Sequence, residues 1–290
     1  MPPPVSPTVR RRRLAAELRR LRERADYTGD EVARSLGWSA AKISRIETAK
    51  TGVKIVDVRR LLELYEVDGT YAGELLALAR EAERKGWWEA YSDALPEKFA
   101  TFVSMEAEAE AAWQWETLAI PGLFQTEEYA RQTMLAMQSL DRIPPGQLAT
   151  RVGARLRRQE VLTREKPLQF TVVLDESVLR RERGDQRTMH AQLMKLVELA
   201  ELPNVALHIL PLKGPHPVDA GSFTLLRFEP VYDITFHDVI YVEQLFSNFY
   251  FEEESDTYRY RLAFDWLHEA ALDRAGSIEC ITRIAKSVWR

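Results

Sequence analysis

Two helix-start signals separated by one glycine constrain this chain more than any other stretch of it. Thr28-Gly29-Asp30-Glu31 is a T-x-x-E capping box, in which the Thr28 hydroxyl accepts from the Glu31 amide and the Glu31 carboxylate reaches back to the cap. A helix should begin there, with Val32, Ala33 and Leu36 on its inner face, and Gly37 should end it in the left-handed conformation that favours glycine. Ser39 can cap again, and Ile43 and Ile46 give the inward face of a third helix closing near Glu47. Two short helices about three residues apart around a glycine make a helix-turn-helix.

The flanks carry the same period. Leu14, Leu18 and Leu21 lie at i, i+4 and i+7, one stripe of a helix from about Arg10 to Ala25. A fourth helix runs from Ile55 to about Glu66 with Val58, Leu61, Leu62 and Tyr65 inward, and a fifth follows Asp68-Gly69-Thr70. Together they predict a five-helix bundle.

Charge divides the chain at the same place. The whole carries a net charge of −4, but residues 1–68 hold 15 Lys and Arg against 10 Asp and Glu, and the remainder 25 against 34. A basic head on an acidic body fits a protein with one polyanion-binding module, although the run Arg10, Arg11, Arg12 and Arg13 dominates the count and a solvated helix face would give the same number.

Residues 14–67 resemble the Xre-type helix-turn-helix domain of phage-repressor-like regulators. The matching residues are Val32-Ala33, Leu36-Gly37-Trp38-Ser39 and Ile43-Ser44-Arg45-Ile46-Glu47. The resemblance implies a lambda-repressor-like bundle whose third helix enters the major groove while the start of the second meets the backbone. Carried over residue by residue, it makes Ser39, Ala40, Ala41, Lys42, Ser44 and Arg45 groove-facing candidates, with Ile43 and Ile46 in the core. Lys42 and Arg45, three apart, can each donate to guanine or to phosphate, whereas Ala40 and Ala41 offer only methyl contact. Few base-specific hydrogen bonds per half-site are therefore expected, with shape and phosphate contacts carrying more of the affinity. At the backbone-contact position stands Gly29, often a glutamine in relatives, which leaves the amides and the helix dipole to bind. Thr28 is a cap or a DNA contact. Lys50 and Lys54 are backbone-contact candidates in the loop that follows. The tract Arg10 to Arg13 either lies along a phosphate strand or is solvated. Glu47 is placed to pair structurally with Arg22, as the family pattern implies.

Beyond residue 82 the composition changes. Trp87, Trp88 and Tyr91 form an aromatic cluster, followed by Phe99, Phe102, Met105, Ala109, Ala112 and Trp113 at helical spacing. Glu106, Glu108 and Glu110 beside them would repel a phosphate backbone, so packing explains these aromatics better than base stacking. Ile120-Pro121-Gly122 reads as a turn before a helix capped by Thr126, and a basic helix from Gln147 to Arg164 carries Arg151, Arg155, Arg157 and Arg158, to pair internally or to meet an acidic partner. Leu168–Leu174 and Val205–Leu210 read as strands around an amphipathic helix, one parallel crossover. Ser222–Phe228, Ile234–Val242 and Phe246–Phe251 read as an antiparallel meander, and helices Tyr258–Leu272 and Ser277–Val288 close the chain.

This second region is similar to the C-terminal domain of antitoxin-like actinobacterial regulators. The similarity lies in Trp87-Trp88, Ile120-Pro121-Gly122-Leu123-Phe124-Gln125-Thr126-Glu127-Glu128-Tyr129, Arg155-Leu156-Arg157-Arg158-Gln159, Val173-Leu174-Asp175-Glu176, Gly221-Ser222-Phe223 and Tyr241-Val242-Glu243, with Phe124 in place of a more usual leucine. It implies a transcriptional regulator whose gene neighbours one for a small partner protein, the pair being likened to toxin–antitoxin systems.

The expected organisation is a flexible Pro-rich tail (1–9), a helix-turn-helix DNA-binding domain (10–82) and an α+β domain with a mixed sheet (83–290) for regulation, dimerisation and partner binding. The chain is then mostly α with an α+β second domain. A module this small covers only a few base pairs, so a homodimer on a palindromic double-stranded operator is expected. The alternative is an antitoxin-like interaction module that sequesters the small partner and binds DNA only to regulate itself.

An enzyme is not expected. His190, His208, His216, His237 and His268 show neither HxxH nor HExxH spacing, and the glycines form no phosphate-binding loop. Asp175 and Glu176 with His237-Asp238 could make an acid/base site, but adjacent strand carboxylates point to opposite faces. The single Cys280 forms no internal disulfide and there is no Cys/His ligand cluster, so no metal and no cofactor are expected. No apolar run reaches the length of a spanning helix, and the start Met1-Pro2-Pro3-Pro4 lacks a signal peptide's apolar stretch, which predicts a cytoplasmic protein without membrane contact.

Overall fold

Capping and apolar period build the N-terminal helices where the sequence places them. In a computed structural model, which describes residues 9–84, 86–91, 93–137, 143–144, 146–232, 234–245 and 247–290, the chain divides into two compact units. The first comprises Met1–Ala90, Glu97–Glu108 and Glu229–Phe236. It contains α1 (Val9–Arg24), α2 (Gly29–Leu36), α3 (Ala40–Glu47), α4 (Ile55–Leu64), α5 (Gly69–Ala82) and α6 (Glu97–Glu108). The expected tail, apart from Val9, lies outside the described residues; Val9 itself is buried in the first turn of α1.

One apolar core joins the first five helices. Leu14, Leu18 and Leu21 of α1 meet Val32 and Ala33 of α2, Ile43 and Ile46 of α3, Val58, Leu61 and Leu62 of α4, and Leu75 and Leu78 of α5. Ile234, only 6% exposed, packs into the same core with Val231 and Tyr232 beside it. Sequence alone places Ile234 at the start of a strand. Instead the strand begins at Val239, and the stretch before it fills the helical core.

The second unit comprises Tyr91–Pro96, Ala109–Phe228 and His237–Arg290. Its six-stranded sheet is formed by β1 (Ala111–Glu116), β2 (Gln169–Asp175), β3 (Val205–Leu210), β4 (Phe223–Arg227), β5 (Val239–Glu243) and β6 (Asn248–Phe251), in the order β3-β2-β1-β4-β5-β6. β1, β2 and β3 run parallel, and β4, β5 and β6 continue antiparallel, which is the mixed sheet expected. The helices of this unit are α7 (Glu127–Ala136), α8 (Gln147–Arg158), α9 (Glu176–Arg180), α10 (Gln186–Leu199), α11 (Glu254–Ala270) and α12 (Arg274–Ser287).

β1 is the main correction. Ala109, Ala112 and Trp113 continue the helical spacing of Phe99 and Met105, yet α6 stops at Glu108 and Ala111–Glu116 is a strand flanked by β2 and β4. Both its faces are covered, so the two-residue alternation that marks a half-exposed strand is missing. The basic helix also ends early, at Arg158, with a 3-10 turn from Gln159 to Leu162. Phe246, expected to open the last strand, lies outside the described residues.

Candidate nucleic-acid interface

The helix-turn-helix is held by local bonds that the sequence names. The Thr28 hydroxyl accepts from the Glu31 amide at 3.3 Å, and the Thr28 amide donates to the Glu31 carboxylate at 2.8 Å, completing the capping box. The bonds that the Thr28 amide and hydroxyl donate to it hold the Glu31 carboxyl below its ordinary value. Gly37 ends α2 with φ 66°, and its amide bonds back to Ala33 and Arg34. Ser39 caps α3 by accepting from the Lys42 amide at 3.2 Å. Between α1 and α3, Arg22 grips both oxygens of Glu47 at 2.7 and 3.0 Å and donates to the Tyr27 carbonyl at 2.7 Å. The hydrogen bond to Glu47 raises the Arg22 guanidinium above its ordinary value. This bidentate pair locks the angle between the two helices.

α3 presents one open face. Ser39, Ala40, Ala41, Ser44 and Arg45 are exposed, while Ile43 and Ile46 are buried. Arg45 makes no ion pair among the described residues. Lys50 and Lys54 are likewise exposed, Lys54 at the N-cap of α4. Thr28 is exposed and engaged in its cap. Gly29 opens α2, and a Cβ there would meet only Ile43 Cγ2 at 3.8 Å, an ordinary contact that leaves room for a longer side chain.

Lys42 stands apart from this face. Its ammonium pairs with Asp57 of α4 at 2.9 Å and lies 3.5 Å from the centre of the Trp38 ring. Arg60 of α4 sits 5.2 Å from the same ring centre and donates to the Leu36 carbonyl at the end of α2. Spacing alone put Lys42 beside Arg45 as a free donor. Trp38 enters the sequence pattern only as a matching residue of the helix-turn-helix, and no local signal marks Asp57 or Arg60, because Asp57 reaches Lys42 only once α4 is packed.

The arginine tract is built into the first unit. Arg10 faces Glu81 at 3.9 Å and Glu108 at 3.4 Å, and Arg11 donates to the Ala82 carbonyl. Arg12 lies over Phe236, and Arg13, 4% exposed, donates to the Glu229 carbonyl. Burial lowers the Arg13 guanidinium below its ordinary value. Sequence alone leaves the tract between phosphate contact and solvation. Packing against α5, α6 and the 229–236 segment is a third role, with partners too distant in sequence to be read from spacing.

In the second unit the quoted motifs hold one another. Arg158, 5% exposed, packs on Gly122, where a Cβ would come within 2.9 Å of its Nη1 and the guanidinium would have to shift. Gln159 donates to the carbonyls of Gly122 and Gln125, and Arg155 donates to the Gln125 side chain. The basic helix is thus paired internally at Arg155 and at Arg157, which bonds Glu160. Asp175 caps α9 through the Ser177 amide and contacts His216 at 2.9 Å, Glu176 bonds Arg180 and the Leu212 amide, and Asp238 pairs with Arg261. No helix among the described residues is long and apolar enough to cross a membrane.

Two families match the chain. A domain of unknown function (DUF5753) covers residues 99–283, and a helix-turn-helix domain covers residues 13–75. No curated protein and no solved structure matches it. The helix-turn-helix domain points to a DNA-binding regulator.

Proposed function

From a chain that belongs to the DUF5753 family and carries a helix-turn-helix domain ahead of that region, we infer a cytoplasmic, sequence-specific transcriptional regulator that binds a palindromic operator as a homodimer. The observation that carries this reading is the open face of α3, where Ser39, Ala40, Ala41, Ser44 and Arg45 are exposed above a buried Ile43 and Ile46. Ser39, Ala40 and Ala41 lie at the end of the helix that meets base edges, Arg45 supplies a donor for guanine, and Lys50 and Lys54 meet the backbone. The second unit is assigned dimerisation and the binding of a signal or a small partner protein from the neighbouring gene. Exposed Leu245, Phe249, Tyr258 and Trp266 supply apolar area for such contacts. No catalytic chemistry is assigned, a reading supported by the capping and pairing roles of Asp175, Glu176 and Asp238.

The test is the double variant Lys42→Ala plus Arg45→Ala, assayed by mobility shift on duplexes selected from a random pool by the wild-type protein. Binding should be lost while circular dichroism and solution mass stay unchanged. A double variant that shifts the duplex as well as wild type refutes the groove assignment.

A further inference from the structure

We propose that Asp57 is an internal phosphate mimic that holds Lys42 away from DNA in the free protein and so lowers its affinity. The proposal rests on the reading of α3 as the groove helix. Lys42 lies in the first turn of α3, but its ammonium is fixed from two sides: by the Asp57 carboxylate at 2.9 Å and by the Trp38 ring, 3.5 Å from its centre. Trp38 is held in turn by Arg60, which is anchored on the Leu36 carbonyl at 2.9 Å. The Lys42 and Asp57 side chains are only 33% and 19% exposed, so solvent screens the pair less than a surface bridge. Among the described residues, the exposed Arg45 and Lys50 make no such pair.

A DNA phosphate offers Lys42 the same chemistry as the carboxylate it already has. Binding DNA through Lys42 therefore exchanges one anion for another, and the gain is the difference between them. The exchange is the same on any duplex, so Asp57 weakens every DNA complex and leaves base choice to α3.

Asp57→Asn removes the charge and keeps the shape. It should tighten binding to the selected duplex and to a scrambled duplex alike, by about three- to tenfold at low salt, and the salt slope should steepen by about one as Lys42 neutralises one more phosphate. The gain should vanish in a Lys42→Ala background, where there is nothing to release. Asp57→Ser is the second variant should the amide perturb the start of α4, and it should behave alike. Unchanged or weaker binding by both variants while wild type binds overturns the proposal and makes Asp57 a support that positions Lys42. A gain that persists in the Lys42→Ala background also overturns it, because the effect is then general charge. If wild type selects no duplex, the groove reading fails and the proposal with it.

Discussion

Glu116 provides the sharpest quantitative prediction. It ends β1 in the second unit, accepting from Gln114 Nε2 at 2.7 Å, and desolvation lifts its carboxyl from the ordinary 4.5 to about 7. The nearby Glu243 carboxylate adds to the rise, while bonds from Ser222 and Gln114 and the charge of Arg158 oppose it. Raised in the folded state, this carboxyl binds more protons there than in the unfolded chain between pH 4.5 and 7, so stability must fall as pH rises through that window. Each pH unit corresponds to about 1.4 kcal/mol, so the full effect is on the order of 3 kcal/mol. Glu116→Gln keeps an oxygen for Gln114 and removes the charge. The variant should match wild type near pH 5 and exceed it by about 1–3 kcal/mol above pH 7. Hydrogen exchange of β1 and β4 peptides across this range measures it. Parallel profiles for the two proteins would show that the carboxyl is already solvated, and the reasoning would fail.

Two further perturbations address the first unit. Ile234→Ala should cost about 2–4 kcal/mol by leaving a hole in the helical core, and exchange should accelerate in α1 and α4 peptides; acceleration confined to β4 and β5 would refute its place in that core. Glu47→Ala leaves Arg22 partly shielded without its bidentate partner and should cost about 2–3 kcal/mol in thermal unfolding, whereas Glu47→Gln, which keeps one acceptor, should cost less than half as much.

What the sequence makes legible is what it decides locally. The Thr28 box, the Gly37 stop and the Ser39 cap each involve residues within a few positions of one another, and each stands where the sequence puts it. The Arg22–Glu47 pair was legible only through a family pattern. β1 was not legible, because Ala, Gln and Glu suit a helix and a strand covered on both faces shows no alternation. Ile234, Arg13 and Lys42 were misread or left open for one shared reason: their partners lie far along the chain. Ile234 answers to leucines more than 150 positions earlier, Arg13 to Glu229, and Lys42 to Asp57.

Pairing also changes what the basic head means. Its surplus of cations predicts strong, salt-sensitive DNA binding, and the 15 Lys and Arg of residues 1–68 acting together would give a salt slope of about −13. Part of that charge is already answered. Arg10 faces Glu81 and Glu108, Arg19 pairs with Glu23, Arg20 with Glu17, Arg22 with Glu47 and Lys42 with Asp57, while Arg13 is buried. At α3 and the loop after it, the exposed cations that pair with no carboxylate among the described residues are Arg45, Lys50 and Lys54. Three such cations per protomer, six in the homodimer, give a slope of about −5, against about −27 if all fifteen of each protomer took part, and titration of the complex with potassium chloride reads it directly. A slope several times steeper would mean that the arginine tract leaves its partners on α5 and α6 to reach the backbone. In that case the packing of Arg10 to Arg13 belongs to the free protein alone.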